Sequence, residues 1–227
     1  DLADFLNSMG AKISGAGTPT ITIEGVGELH GTVHNVIPDR IEAGTFMVAA
    51  ALAGEGVTLR RVHEGHLVAI TGALRKAGHQ VHFNDSGDAC TVLRGDTPMP
   101  AEITTDPYPG YPTDMQAQMT ALFATTPGKS KVTDTIFPQR FMHCAELKRM
   151  GANIHVADGQ AEITGVKRLS GAPVMASDLR ASAALVLAAL TAEGTTEINR
   201  LYHIDRGYEH IDEKLEALGA RVERVRV

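Results

Sequence analysis

Three aspartates and four arginines stand at the junctions of this chain. "PDRIEAGT" carries Asp39 and Arg40, "PTDMQAQM" carries Asp114, and "FPQRFMH" carries Arg140. "ASDLRASA" carries Asp178 and Arg180, and "HIDRGYE" carries Arg206. An aspartate just ahead of an apolar, alanine-rich stretch is the usual N-terminal cap of a helix, where it satisfies free backbone N–H groups and meets the positive end of the dipole. The same carboxylate can also carry chemistry, and its position alone does not separate the two roles. Taken singly, a surface arginine is a solvated charge. Gathered at equivalent turns, these arginines form a receptor for phosphate and carboxylate groups, which Arg binds bidentately. Helix N-termini that point one way would strengthen such a receptor. The implied substrate is polyanionic.

Those junctions belong to a repeat. One phrase recurs as "LNSMGAKI", "LRKAGHQV", "LKRMGANI" and "LEALGARV", with glycines at 10, 78, 151 and 219, roughly 70 residues apart. Each reads as a helix end, a glycine in the left-handed position after it, and the first residues of a strand. A second phrase, glycine followed by a β-rich run, recurs as "EGVTLRRV", "PGKSKVTDTIF" and "EGTTEINRLY". Each follows an alanine-rich apolar stretch ("GTFMVAAALAG", "MQAQMTALFAT", "LRASAALVLAALTA") that predicts a mostly buried helix. The unit is helix, strand, helix, strand, with hairpin pieces such as "AEITGVKRL" completing it. Three full units and one partial unit at the N-terminus account for the chain.

Composition bounds the function. With 227 residues, 43% hydrophobic and 21% charged, the chain can bury one large core or two modest ones. A net charge of -6 argues against a general nucleic-acid binder or an anionic-membrane binder. No apolar run approaches the roughly 20 residues of a membrane helix. Cys90 and Cys144 lie far apart without CxxC spacing, which fits a reducing cytoplasm and no zinc or disulfide framework. "HEGH" at 63–66 offers two histidines and no third ligand, so no metal is expected there. "SGAGTPT" at 14–20 lacks the strand-then-helix context of a dinucleotide loop and reads as a turn. The chain opens within an amphipathic helix, "DLADFLNSMGAKI", without an initiating Met, as expected of a fragment.

"YPTDMQAQ", "TIFPQRFMH", "ASDLRASAALVLA" and "YHIDRGYEHIDEKLEALGA" together resemble the C-terminal part of the UDP-N-acetylglucosamine enolpyruvyl transferases (1-carboxyvinyltransferases), which act in peptidoglycan synthesis. The likeness extends over essentially the whole chain, from "DLADFLNSMGAKISGAGTPTITIEGV" onward. It implies an α/β (α+β) fold, an inside-out α/β barrel of βαβαββ units, with two such domains and a cleft between them. Residues 1–38 would close the first domain and residues 39–227 would form three units of the second, with the boundary at "VIPDRIE". The implied reaction moves the enolpyruvyl group of phosphoenolpyruvate to the 3-hydroxyl of UDP-N-acetylglucosamine and releases phosphate. It requires no metal and no organic cofactor.

Carried over by position, the resemblance makes Asp114 the partner of the sugar hydroxyl and its general base. Arg140, Arg180 and Arg206 match arginines that face phosphoenolpyruvate, Ile136 a backbone contact to the nucleotide sugar, and Asp178 a carboxylate near the reacting centre. Arg40 and Glu42 sit in a matching motif and read as structural, while His143 and His203 adjoin functional motifs and read as packing. Pro138 and Gln139 depart from the Glu-Asn often found in the family. The family's loop cysteine and Lys-Asn pair would lie upstream, so the upstream half of the enzyme is an expected partner and the chain alone is expected to be inactive. Neither Cys90 nor Cys144 occupies a matching motif. Two other readings stay open: the related shikimate-3-phosphate enolpyruvyl transferase, and a noncatalytic repeat or anion-binding module.

Overall fold

The structure, a computed structural model, describes residues 1–225. It separates into two compact bodies, Asp1–Pro38 and a second from Asp39 onward. The smaller body holds α1 (Leu2–Ser8) and an antiparallel hairpin of β1 (Lys12–Ser14) and β2 (Thr22–Glu24), with Ile13 opposite Ile23. Asn7 ties the helix to the hairpin, donating to the Ile13 carbonyl at 2.8 Å and accepting its N–H at 2.7 Å. Ile21, Ile23, Val33 and Val36 are exposed, so this body has little core of its own.

The larger body is built from repeats. The first comprises α2 (Arg40–Ala53), β3 (Val57–Arg60), α3 (Glu64–Lys76), β4 (Gln80–Phe83) and β5 (Ala89–Leu93). The second comprises β6 (Glu102–Thr104), a 3-10 turn (Thr113–Met115), α4 (Gln116–Thr125), β7 (Lys129–Thr133), α5 (Met142–Arg149), β8 (Asn153–Ala157) and β9 (Gln160–Thr164). The third comprises β10 (Pro173–Met175), α6 (Leu179–Ala189), β11 (Glu197–Asn199), α7 (Tyr202–Asp205) and α8 (Ile211–Ala217).

The middle repeat carries the whole βαβαββ pattern, in a sheet of order β6-β7-β9-β8 with β6 and β7 parallel and the rest antiparallel. The first repeat has the same sheet without its leading strand, β3-β5-β4, and the third has the leading parallel pair β10-β11. The sequence predicts a strand after Gly219, yet residues 220–225 are irregular. A strand needs a partner for its N–H and C=O groups, and among the described residues nothing pairs with the outer edge of β11.

Helices lie inside and sheets outside. The stretch from Gln116 to Ala124 in α4 is buried throughout, which suits a helix with no polar face. It packs with α2 and α6 around Met47, Val48, Met119, Phe123, Leu185 and Leu187. The strands β7 and β9 bury alternate residues, as expected of sheets with one face toward the helices and one toward water. Gly44 marks the closest approach of α2 to its neighbours: a Cβ there would lie 2.8 Å from Ile70 Cδ1 and 2.9 Å from Met115 Sδ.

The recurring glycine phrase is one motif four times over. Gly10, Gly78, Gly151 and Gly219 have φ of +99°, +87°, +92° and +96°. At each, the N–H of the following residue reaches back to a leucine carbonyl at 3.0 Å: Ala11 to Leu6, His79 to Leu74, Ala152 to Leu147 and Ala220 to Leu215. This is the Schellman closure, which absorbs the free carbonyls of a helix end and turns the chain into the next segment.

Candidate active site

The three junction aspartates do not behave alike. Asp39 caps α2, its Oδ1 accepting the N–H groups of Ile41 at 2.7 Å and Glu42 at 3.2 Å. Asp178 caps α6 in the same way, accepting from Arg180 N at 2.8 Å and Ala181 N at 2.9 Å. Asp114 caps nothing. It sits inside the 3-10 turn Thr113–Met115, where Met115 N donates to the Pro112 carbonyl and no side-chain cap forms. Its carboxylate is thereby free to face other groups.

Those groups are two guanidiniums. Arg140 Nη1 donates to Asp114 Oδ1 at 2.7 Å, and Arg180 Nη2 donates to Asp114 Oδ2 at 3.0 Å. The Arg180 side chain is 12% exposed, and those of Arg140 and Asp114 are 27% and 37% exposed. The centre therefore opens to solvent through the carboxylate. Burial pushes the Asp114 carboxyl upward, but the hydrogen bond from Arg140 and the charge of Arg180 outweigh it and hold the pKa below the ordinary carboxylate value. Burial would lower the Arg180 pKa, yet Tyr208 and Asp114 beside it raise it instead. The centre is a fixed pair of cations already holding one anion.

Buried polar groups keep this arrangement in place. Asp134, 1% exposed, directly follows β7 and accepts at Oδ1 from the Thr105 hydroxyl (2.8 Å) and the N–H groups of Ile136 (3.0 Å) and Phe137 (2.9 Å). Its other oxygen accepts from Thr113 at 2.7 Å, which joins the loop carrying Ile136 and Arg140 to the turn carrying Asp114. Gln116 donates to the Arg140 carbonyl at 3.1 Å. Behind Arg180, Tyr208, Thr45 and Gln118 form a buried hydrogen-bonded cluster. None of these supporting residues is singled out by motif. The visible trace of two of them is a pair of glutamines inside an otherwise apolar helix, "MQAQMTALFAT".

The remaining candidates are placed as follows. Arg206 directly follows α7 on the surface, two residues before Tyr208, and makes no ion pair among the described residues. Ile136 is half-buried, and Arg40 stands over the Tyr108 ring at 5.5 Å. Glu42 accepts from Lys214 at 2.7 Å and so ties α2 to α8. His143 is buried with its pKa lowered to about 4 by burial, partly countered by Asp178. Both cysteines are buried, and burial pushes the thiols up to about 11 at Cys90 and about 12 at Cys144, which leaves neither nucleophilic at neutral pH. Among the described residues no group of three or more His, Cys, Asp or Glu could hold a metal ion, and no helix is long and apolar enough to cross a membrane.

Comparison with known proteins gives a consistent result. The chain is 73% identical over 225 residues to a UDP-N-acetylglucosamine 1-carboxyvinyltransferase of Akkermansia muciniphila, covering 99% of this chain and 53% of that protein. It is 55% identical to the protein of the same name from Magnetococcus marinus, with 99% and 54% covered. The chain thus spans about half the length of the curated relatives it matches. Among solved structures, the enolpyruvyl transferase NikO from Streptomyces tendae superposes with a TM-score of 0.82 at 30% identity, over 95% of this chain and 51% of that one. An EPSP synthase from Acinetobacter baumannii shares the fold at a TM-score of 0.60 and 19% identity. The mixed α/β repeat fold is thus of the enolpyruvyl transferase type, and residues 1–215 match the family profile of EPSP synthase (3-phosphoshikimate 1-carboxyvinyltransferase), so the chain belongs to that family of enolpyruvyl transferases.

Proposed function

We propose that this chain is the C-terminal portion of a cytoplasmic enzyme that transfers the enolpyruvyl group of phosphoenolpyruvate to the 3-hydroxyl of UDP-N-acetylglucosamine, with release of phosphate. The observation that carries the reading is Asp114, which is released from helix capping and bracketed by Arg140 and Arg180. The names of the relatives compared above support the choice of acceptor. In this reading residues 1–38 close the first domain, residues 39–227 form most of the second, and an upstream half supplies the opposite wall of a cleft.

The chemistry is addition followed by elimination. The sugar hydroxyl gives its proton to Asp114 as its oxygen bonds to C2 of phosphoenolpyruvate, and a proton is delivered to the methylene carbon C3. A proton then leaves C3 and phosphate departs from C2, restoring the double bond. Arg140, Arg180 and Arg206 hold the phosphate and carboxylate through charge-assisted bonds. Asp178, two residues before Arg180 in sequence, is assigned here as the carboxylate near the reacting centre. Ile136 offers its carbonyl to the nucleotide sugar, because its N–H is already given to Asp134.

Asp114 paired with two arginines is a weak base. A substrate anion that draws on the same guanidinium groups weakens their hold on Asp114 and moves its pKa back toward the ordinary range. Anion binding and base activation are then one event.

The test is phosphate release from phosphoenolpyruvate with UDP-N-acetylglucosamine or shikimate 3-phosphate as acceptor, for this chain alone and for the chain joined to its upstream half. Turnover is expected only in the joined protein and with the nucleotide sugar. Turnover with shikimate 3-phosphate instead would favour the second acceptor class. Salt-sensitive DNA binding without nucleotide-sugar binding would favour a noncatalytic module.

A further inference from the structure

We propose that Tyr208 is a positioning residue for this reaction: its hydroxyl, oriented by Thr45, fixes the Arg180 guanidinium that faces Asp114. The inference rests on the enolpyruvyl-transfer reading and adds to it a residue that is too deeply buried to touch a substrate. Tyr208 is 1% exposed, so it acts through Arg180.

Donor and acceptor accounting sets the direction of the cluster. The Thr45 hydroxyl donates its one proton to the Ile41 carbonyl at 2.9 Å, a bond within α2. Its oxygen is left to accept, from Tyr208 at 2.9 Å and from Gln118 Nε2 at 3.1 Å. Having given its proton to Thr45, the Tyr208 hydroxyl presents lone pairs to Arg180 Nη1 at 3.2 Å. The protons therefore run one way, from Arg180 to Tyr208 to Thr45 to Ile41. The guanidinium also stands against the Tyr208 ring, with its Cζ 5.7 Å from the centroid. A planar guanidinium held along one edge has no freedom to swing the other, so the grip on Nη1 decides where Nη2 points. Nη2 is the atom that meets Asp114. Thr45 comes from the first repeat, Gln118 from the second, and Tyr208 and Arg180 from the third, so the cluster is where the three repeats set one side chain.

Two measurements test this. In the 227-residue chain, side-chain ¹⁵N NMR reads rotation of the Arg180 guanidinium, which is expected to be restrained in the wild type and in Thr45→Ser and freed in Tyr208→Phe and Thr45→Val. In the chain joined to its upstream half, Tyr208→Phe and Thr45→Val are expected to lower kcat and raise the KM for phosphoenolpyruvate, each about tenfold, with the KM for the nucleotide sugar unchanged. Thr45→Ser is expected to restore both. Unaltered guanidinium rotation in Tyr208→Phe overturns the proposal, as does a drop in unfolding midpoint with kinetics unchanged. A joined wild-type protein without turnover would overturn the enolpyruvyl reading instead, while the NMR measurement still decides whether Tyr208 fixes Arg180.

Discussion

Arg180 Nη2 lies 3.0 Å from Asp114 Oδ2, joining the first turn of α6 to the turn that precedes α4, two segments 66 residues apart in sequence. Because the two residues come from successive repeats, any change in how the repeats pack is felt at this contact.

Asp114→Asn keeps the size of the side chain and removes the base. Turnover of the joined enzyme is expected to fall roughly 100-fold or more, with nucleotide-sugar affinity changed far less, as read by steady-state kinetics and calorimetry. Stability of the chain should change by less than about 1 kcal/mol, since a partly exposed ion pair and no helix cap is lost. Near-normal turnover would remove Asp114 from the chemistry.

Arg180→Lys keeps the charge and loses the fork that reaches both Asp114 and Tyr208. A higher KM for phosphoenolpyruvate and a lower unfolding midpoint are expected together. Arg206→Lys is expected to raise the same KM with no change in stability, because Arg206 is exposed and without an ion pair among the described residues. Phosphate-release kinetics alongside thermal melts separate the two; full tolerance of Lys at both positions sinks the anion-receptor reading.

Asp39→Ala and Asp178→Ala each remove a side-chain cap that serves two backbone N–H groups. Each should destabilise the chain by about 1 kcal/mol in urea titrations. Asp39→Ser is expected to recover most of that stability, and no loss in Asp39→Ala would be inconsistent with the capping role.

His143 is held neutral by burial, with its pKa lowered to about 4 from 6.5. Below 6.5 the unfolded chain binds a proton that the folded chain refuses, so the stability from this residue is complete above that pH and is lost as pH falls toward 4. Between pH 7 and pH 5 the loss should be about 2 kcal/mol. His143→Leu should flatten the dependence by that amount when urea stability is compared at the two pH values; an unchanged slope would contradict it. His79, also lowered to about 4 by burial, contributes in the same window and remains in the variant.

Gly44→Ala places a methyl against Ile70 and Met115 where α2 meets its neighbours. Overpacking there should cost about 1–3 kcal/mol, measured by denaturant unfolding. An unchanged midpoint would mean that the Met115 side chain yields freely.

What could be read from sequence was what is encoded locally. The four glycines at 10, 78, 151 and 219 are legible because a Schellman closure involves six consecutive residues, and all four adopt it. Arg140 and Arg180 stand in the long motifs that carry the resemblance, and the structure brings both to Asp114. Asp134, Gln116, Thr45 and Tyr208 were not legible as site residues. Their roles depend on partners as far as 163 residues away, and a buried tyrosine or threonine looks like any other core residue until its hydroxyl finds an acceptor. The irregular course of residues 220–225 has a different cause: a recurring sequence phrase can propose a strand, but only a neighbouring backbone can make one.

The 3-10 turn ahead of α4 changes which substitutions natural selection can accept at a duplicated position. At Asp39 any short side chain able to accept from the next turn, Ser, Thr or Asn, preserves what the residue does, so drift there is broad and chemically conservative. At Asp114 the backbone has taken over the opening of the helix, and the side chain has no capping to do. Its tolerance is then all or nothing: nearly any polar residue keeps the protein folded, and none but a carboxylate keeps the centre charged as it is. Aspartates at like places in successive repeats thus face two unrelated kinds of constraint, and a scan of all substitutions at 39 and 114 under separate selections for abundance and for activity is expected to show them diverge.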